Sequence, residues 1–370
     1  MQRVLFKSFF FLIQCLTFSI ILSNLVHATQ NVQDEKTNIE INVGIYAPFS
    51  DRSAFIGRNI LNAMEMAQDE LKSSPVHYSF FTLDKQTVHH DPAVTLQKFI
   101  DTHHINVLLT EGSANGLLAA PLARKNQIIH FSLASDPHIA DGTNNFLAWS
   151  PADEQAGVLI NELKKKNVQS LGVISSSSLS DKVLTKNVLN QVEKNSSINI
   201  VVNKEFKAGT TQFSPLMLDL IGIDADLYVV MASPREMEQI QSEMRKSGIN
   251  KPITTIVDRT TPKVMKIFNG QWYIDTHEMQ PEFIKNFQEA YLNYPATEAG
   301  YAFDVFNILN RSVLMSVAKH HAVNSMELAK QIHAQAIGSG VMGPFNLDKK
   351  GVLYTQAEVK TVKNGHILTA

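Results

Sequence analysis

Short apolar runs of strand length alternate with amphipathic helical stretches along most of this chain, and that alternation restricts it to an α/β architecture. The first instance spans residues 39–71. Ile39, Ile41, Val43 and Ile45 alternate with Glu40, Asn42 and Gly44, the two-residue period of a strand. Pro48 ends the run, because proline cannot donate to a strand ladder. After a polar loop at 50–57, Ile60, Ala63, Met64, Ala67 and Leu71 recur at three- and four-residue steps, which predicts a helix with one apolar face. Strand, loop and helix together are the opening half of a βαβ unit. Ligands of open α/β sheets sit beyond the carboxyl ends of the strands, so the loop at 50–57 is a candidate site wall.

The pattern continues with strands predicted at 76–83, 105–109 and 128–131. Asp91-Pro92 opens the helix between the first two, with Asp91 as cap and Pro92 in the first turn. A further helix is predicted at 117–125. After Trp149-Ser150-Pro151 the alternation restarts, with helices at 153–166, 179–194, 213–221 and 234–247 and strands at 171–175, 198–202, 227–231 and 253–257. No sequence repeat accompanies it, which describes two similar lobes rather than a repeat array. Long helices are predicted at 281–294, 299–319 and 325–337, and the end is β-like from Gly343 to Ile367. No loop is long enough to be a flexible linker, so short crossings join the lobes.

Residues 1–28 have the character of a secretory signal: Arg3 and Lys7, an apolar run at 9–25, Val26-His27-Ala28 at the cleavage position and a polar stretch behind it. The rival is a retained membrane anchor, since the run approaches the length of about 18 residues that permits spanning. Cys15 after Leu12-Ile13-Gln14 is only faintly similar to a lipoprotein site, because Gln14 is bulky where a small residue is needed. Cleavage after Ala28 removes the only cysteine and leaves a chain that must be stable through its core, without disulfide or thiolate chemistry. Without Arg3 and Lys7 the acids outnumber the bases 35 to 31, a balance that gives no reason to expect nucleic acid or an anionic membrane as partner.

Signals for catalysis are absent. Gly338-Ser339-Gly340-Val341-Met342-Gly343 spells the dinucleotide fingerprint, yet it follows a helix and runs into Pro344 and a strand, so the glycines read as turn residues. The pairs His89-His90, His103-His104 and His320-His321 lack metal-ligand spacing, and neighbours on a helix face different ways. The serines at 175–178 form no nucleophile elbow. No cofactor and no metal are expected.

Loops after strands remain. In Gly112-Ser113-Ala114 the backbone N–H groups and the Ser113 hydroxyl can receive an anion at a helix N-terminus, or else Ser113 or Asn115 simply caps that helix. Ser135 and Asp136 share the ambiguity. Asp258 follows a strand and can offer its carboxylate to a cation, or simply pair with Arg259 or a helix start.

Several stretches in order, the segment 43–50 with Gly57, Ser113, 132–137, Pro151-Ala152-Asp153-Glu154-Gln155, 208–215, Tyr301-Ala302-Phe303-Asp304 and 343–351, carry a family likeness. Over residues 39–368 the chain resembles the type I periplasmic binding proteins, specifically the leucine/isoleucine/valine-binding family of ABC transporters. The resemblance implies an α/β fold of two Rossmann-like lobes, with parallel sheets flanked by helices, joined by a three-stranded hinge. Lobe I would comprise 39–150 and 276–352, and lobe II 151–275 and 353–370. Ser113 would bond the ligand carboxylate, Ala134 and Ser135 would add backbone and hydroxyl contacts, and Asp258 would pair with the ligand ammonium.

The chain departs from the family where 178–180 lacks an aromatic and a glycine and where a tyrosine near Ser233-Pro234 is missing. Asp51-Arg52 stands in place of a glycine-led turn, and Phe55 or Trp149 is left to supply an apolar wall. The implied function is not enzymatic. A monomeric periplasmic protein captures a small zwitterionic or polar solute, an amino acid or amide, and hands it to an ABC permease. The alternative is an envelope sensor that uses the same fold to bind a protein partner.

Overall fold

The computed structural model describes residues 39–71, 74–88, 90–194, 197–257, 262–319, 323–364 and 366–369. Residues 39–40 and 74–77 belong to a small separate compact unit, in which the Ile39 amide donates to the Pro75 carbonyl at 3.1 Å. The rest forms the body of the protein. The first part of the chain runs β1 (Ile39–Ala47), α1 (Ala54–Asp69), β2 (Val76–Asp84), α2 (Pro92–His103), β3 (Val107–Glu111), α3 (Ser113–Asn126), β4 (Ile129–Leu133) and β5 (Asn145–Ala148). Next come α4 (Ala152–Lys165), β6 (Ser170–Ser176), α5 (Leu179–Glu193), β7 (Asn199–Phe206), α6 (Ser214–Leu220), β8 (Leu227–Met231), α7 (Pro234–Lys246), β9 (Ile253–Thr254), α8 (Pro262–Ile267) and β10 (Trp272–Thr276). The chain ends with α9 (Pro281–Tyr291), α10 (Thr297–Ala318), α11 (Ser325–His333), β11 (Ile337–Gly340), β12 (Gly343–Leu347), β13 (Val352–Thr355), β14 (Ala357–Lys363) and β15 (His366–Thr369).

Two α/β lobes result. The sheet of the first has the order β11-β12-β13-β5-β4-β3-β1-β2, with β1, β3, β4, β5 and β13 paired in parallel. Every residue of β3 and β4 is buried, as a sheet covered on both faces requires. The polar residues among them satisfy one another. Thr110 Oγ1 lies 2.9 Å from His130 Nε2 and 3.1 Å from Ser132 Oγ, and His130 Nδ1 lies 2.8 Å from Asn145 Oδ1. Asp91 caps α2 by accepting the Val94 amide at 3.1 Å, with Pro92 at the first position as the sequence predicts.

The second lobe holds the parallel sheet β7-β6-β8-β9. Alternation along β8 divides its core: Leu227, Val229 and Met231 pack with α4 and α5, while Tyr228 and Val230 pack with α6, α7 and α8. The antiparallel sheet β10-β14-β15 joins the first of these clusters through Trp272, Ile274 and Ala357. A bridge between Ile256 and Ile274 carries the second-lobe pairing across to it. Consequently β9 keeps only two residues of the strand expected at 253–257.

The glycine run at 338–343 forms the β11–β12 hairpin and opens no helix. Its turn is filled by Asp304, whose carboxylate accepts the Val341 and Met342 amides at 2.7 and 3.0 Å. A Cβ at Gly340 would lie 2.2 Å from that carboxylate, which is why glycine stands there.

Candidate functional site

The site is built where β3 hands over to α3. Gly112 takes φ +86°, a conformation that favours glycine and lets the chain turn from strand into helix. The α3 N-terminus has no side-chain cap and no acid in its first turn. Ser113 is 1% exposed, and its Oγ has no hydrogen-bond partner. Asn115 is not the cap either, since its Nδ2 donates back to the Glu111 carbonyl at 2.7 Å.

Ser113, Ala134, Ser135 and Trp149 come together around a cavity of about 30 Å³, also lined by Glu111 and Glu298. Ser180, at the start of α5, reaches the same cavity from the second lobe. Glu111 is paired with Lys85 at 2.5 Å, and Glu298, 2% exposed, sits in the first turn of α10. Asp136 resolves as a cap: its Oδ1 accepts the His138 amide at 3.0 Å. Trp149 is buried, with its ring stacked on Tyr301. Asp258 lies outside the described residues.

Phe55 lies elsewhere. It is 44% exposed and borders two larger cavities, of about 590 and 620 Å³. The second is walled by Met265, Met279, Tyr294 and Met342, with the buried pair Lys360–Asp275, 3.2 Å apart, among its lining. The first is lined by the loops after β6 and β8, through Ser176, Ser178, Ser180, Asp181, Ser233 and Glu236.

Those loops start helices and cap them with serine. Ser178 Oγ accepts the Asp181 amide at 3.2 Å, and Asp181 Oδ2 in turn accepts from Ser178 Oγ at 2.7 Å and from Ser176 Oγ. Ser233 and Glu236 form a capping box on α7, and Glu236 Oε1 also accepts the Gly209 amide at 2.7 Å. Burial pushes the Asp181 carboxyl up, the two serine hydrogen bonds act against that, and the charge of Glu236 adds to the rise. Asp181, Glu236, Ser180 and Glu298 escape the sequence reading. The Ser-x-x-Asp and Ser-x-x-Glu patterns at 178–181 and 233–236 are the signal that would have found two of them. Among the described residues no three His, Cys, Asp or Glu side chains converge as metal ligands.

Two α/β lobes whose strand-end loops face shared cavities, with a buried, unpartnered hydroxyl in one of them, are the architecture of a two-lobed solute-binding protein. The chain belongs to the periplasmic binding protein family, whose model matches residues 40–347. Among solved structures it is similar to the branched-chain amino acid transporter substrate-binding protein LivJ of Streptococcus pneumoniae in complex with isoleucine (19% identity, 90% of this chain and 100% of that one, TM-score 0.75). It is similar also to the leucine-binding protein LivK of Thermotoga maritima (17% identity, 89% and 97%, TM-score 0.77). A third is an ABC transporter solute-binding protein of R. palustris in complex with benzoate (15% identity, 89% and 95%, TM-score 0.74). At these identities the likeness is one of fold. No curated protein matches the chain.

Proposed function

We propose that this protein captures a small zwitterionic or polar solute between its lobes in the periplasm and presents it, as a monomer, to an ABC permease. Residues 1–28, outside the described part, would be its signal sequence. The observation that carries the reading is the Ser113 hydroxyl, buried without a partner at an uncapped helix N-terminus. A buried polar atom left without a bond costs on the order of 1–3 kcal/mol, so a bound acceptor accounts for its place. A helix N-terminus with no acid of its own suits a carboxylate, and isoleucine and benzoate, the ligands of two structural relatives, are both carboxylates.

Ala134 and Ser135 stand beside Ser113 in the same cavity and would complete that end, with Trp149 behind them. Asp258 and Glu298 are the carboxylates proposed for the ligand ammonium. A space of about 30 Å³ holds roughly one water, so capture requires the lobes to part and close again. The moving bodies would be 39–150 with 276–352 and 151–275 with 353–370. Phe55, on the first loop, would meet the ligand from the larger cavities.

A thermal-shift screen of amino acids, amides and small carboxylates tests this, because a ligand bound only by the folded state raises Tm by mass action. A shift that Ser113→Ala removes is the expected result. If no member of a broad panel shifts the transition, solute capture is the wrong reading and the envelope sensor takes its place.

A further inference from the structure

The helix N-termini beside the Ser113 cavity and the cavity of about 590 Å³ differ in one respect that bears on what the solute carries. At α3 the N-terminus is empty: no cap, no acid in the first turn, and Ser113 Oγ without a partner. At α5 and α7 the equivalent seats are filled by the chain itself. Asp181 occupies the first turn of α5 and Glu236 that of α7, each bonded to its capping serine. An anionic group is disfavoured at those two helix ends, whose first turns already hold carboxylates.

The two acids are not equivalent. Both oxygens of Glu236 are spent within the fold, Oε1 on the Gly209 amide at 2.7 Å and Oε2 on Ser233 at 2.6 Å. Asp181 accepts the Ser176 and Ser178 hydroxyls with Oδ2 alone, and among the described residues nothing donates to its Oδ1. The half-buried Asp181 lines the cavity of about 590 Å³. Arg235, which lines the same cavity, is exposed and makes no ion pair among the described residues. Ser180 lines both this cavity and the small one that holds Ser113. A ligand can therefore run from the Ser113 hydroxyl past Ser180 to Asp181.

We propose that the solute is a basic amino acid, with its carboxylate at Ser113 and the cationic end of its side chain at Asp181. This rests on the capture reading above and adds the side-chain charge. Desolvation acts in the same direction: a carboxylate raised by burial and by a neighbouring acid gains most from a bound cation. The missing aromatic at 178–180 fits as well, because the polar groups of Ser178, Ser180 and Asp181 stand there in a cavity otherwise lined largely by apolar residues such as Leu184, Met237 and Val264.

Calorimetric titration of the purified protein with L-arginine, L-citrulline and L-isoleucine decides it. Citrulline keeps the shape of arginine and loses the charge. Arginine is expected to bind at least about tenfold more tightly than citrulline, the scale of a hydrogen bond to a charged group. Asp181→Asn should bring the two within about threefold, mainly by weakening arginine, and the amide keeps an oxygen for the Ser176 and Ser178 hydroxyls. If that variant fails to fold, the arginine-to-citrulline ratio of the unaltered protein still decides. Citrulline or isoleucine binding as tightly as arginine would overturn the cationic side chain and leave carboxylate capture standing. Binding of none of the three would overturn it too, and the broader solute panel then judges capture itself.

Discussion

Trp149 stacks on Tyr301 with ring centroids 4.4 Å apart and planes 29° from parallel, tying the end of β5 to the first turns of α10. The Tyr301 hydroxyl lies 2.7 Å from Thr355 Oγ1 at the end of β13. Three segments distant in sequence thus meet behind the Ser113 cavity, and burial pushes the Tyr301 phenol well above its ordinary range. Stacked aromatic pairs contribute about 0.5–1.5 kcal/mol beyond their buried area.

Truncating this pair should be costly. Trp149→Ala is expected to lose about 3–5 kcal/mol of unfolding free energy, by lost burial and the cavity left behind. Trp149→Phe should lose less. Urea unfolding measures both, and a loss under about 1 kcal/mol for the alanine variant would mean that the stack does not hold these segments.

Ser113→Ala should behave in the opposite way. Its Oγ makes no bond within the protein, so stability should stay within about 0.5 kcal/mol of the parent, or rise. Ligand affinity should nevertheless fall about tenfold or more. A matching drop in stability would assign Ser113 to the fold instead of the site.

Asp304 sets a pH dependence. Burial pushes its carboxyl up to about 6, although the Met342 and Val341 amides pull it down. A folded-state value above the unfolded one means that the contribution is fully present below the unfolded value, near pH 4, and is lost as pH rises through 6. Relative to the parent, Asp304→Asn should therefore gain stability between pH 4 and pH 7, by up to about 3 kcal/mol. Parallel stability curves would show that Asp304 does not titrate in this window.

His130 works the other way. Complete burial pushes its ring down to about 4, with the Asn145 hydrogen bond and the charge of Asp141 opposing. Its unfolded state binds the proton first, so stability is complete above about pH 6.5 and falls by up to about 3 kcal/mol as pH drops through 4. An NMR titration should find the His130 ring neutral at pH 5. A midpoint near 6.5 would contradict the buried Thr110–His130–Asn145 chain.

How much of the fold is legible in the sequence depends on whether a segment carries its own period. β1, α1, α2, β6 and β8 do, and the predicted spans overlap the observed ones. β5, β10 and α8 do not. Asn145 opens β5, and Asp275 and Thr276 end β10; these polar residues are buried and break the apolar runs that mark a strand. They are tolerated because Asn145 meets His130 and Asp275 meets Lys360, partners from other parts of the chain.

The same division runs through the site. The sequence alone determined the α/β alternation, the glycine-led entry to α3 and the placing of Ser113, Ala134 and Ser135 after strands, because strand period, helix period and turn chemistry are local. Only the tertiary structure decided that Trp149 is packed away against Tyr301 and that Phe55 borders different cavities from Ser113. It alone showed that Asp181 and Glu236, acids in the first turns of two helices, line one cavity. Capping is a contact between residues three apart, whereas a binding wall is made by strand ends that the parallel sheet brings side by side.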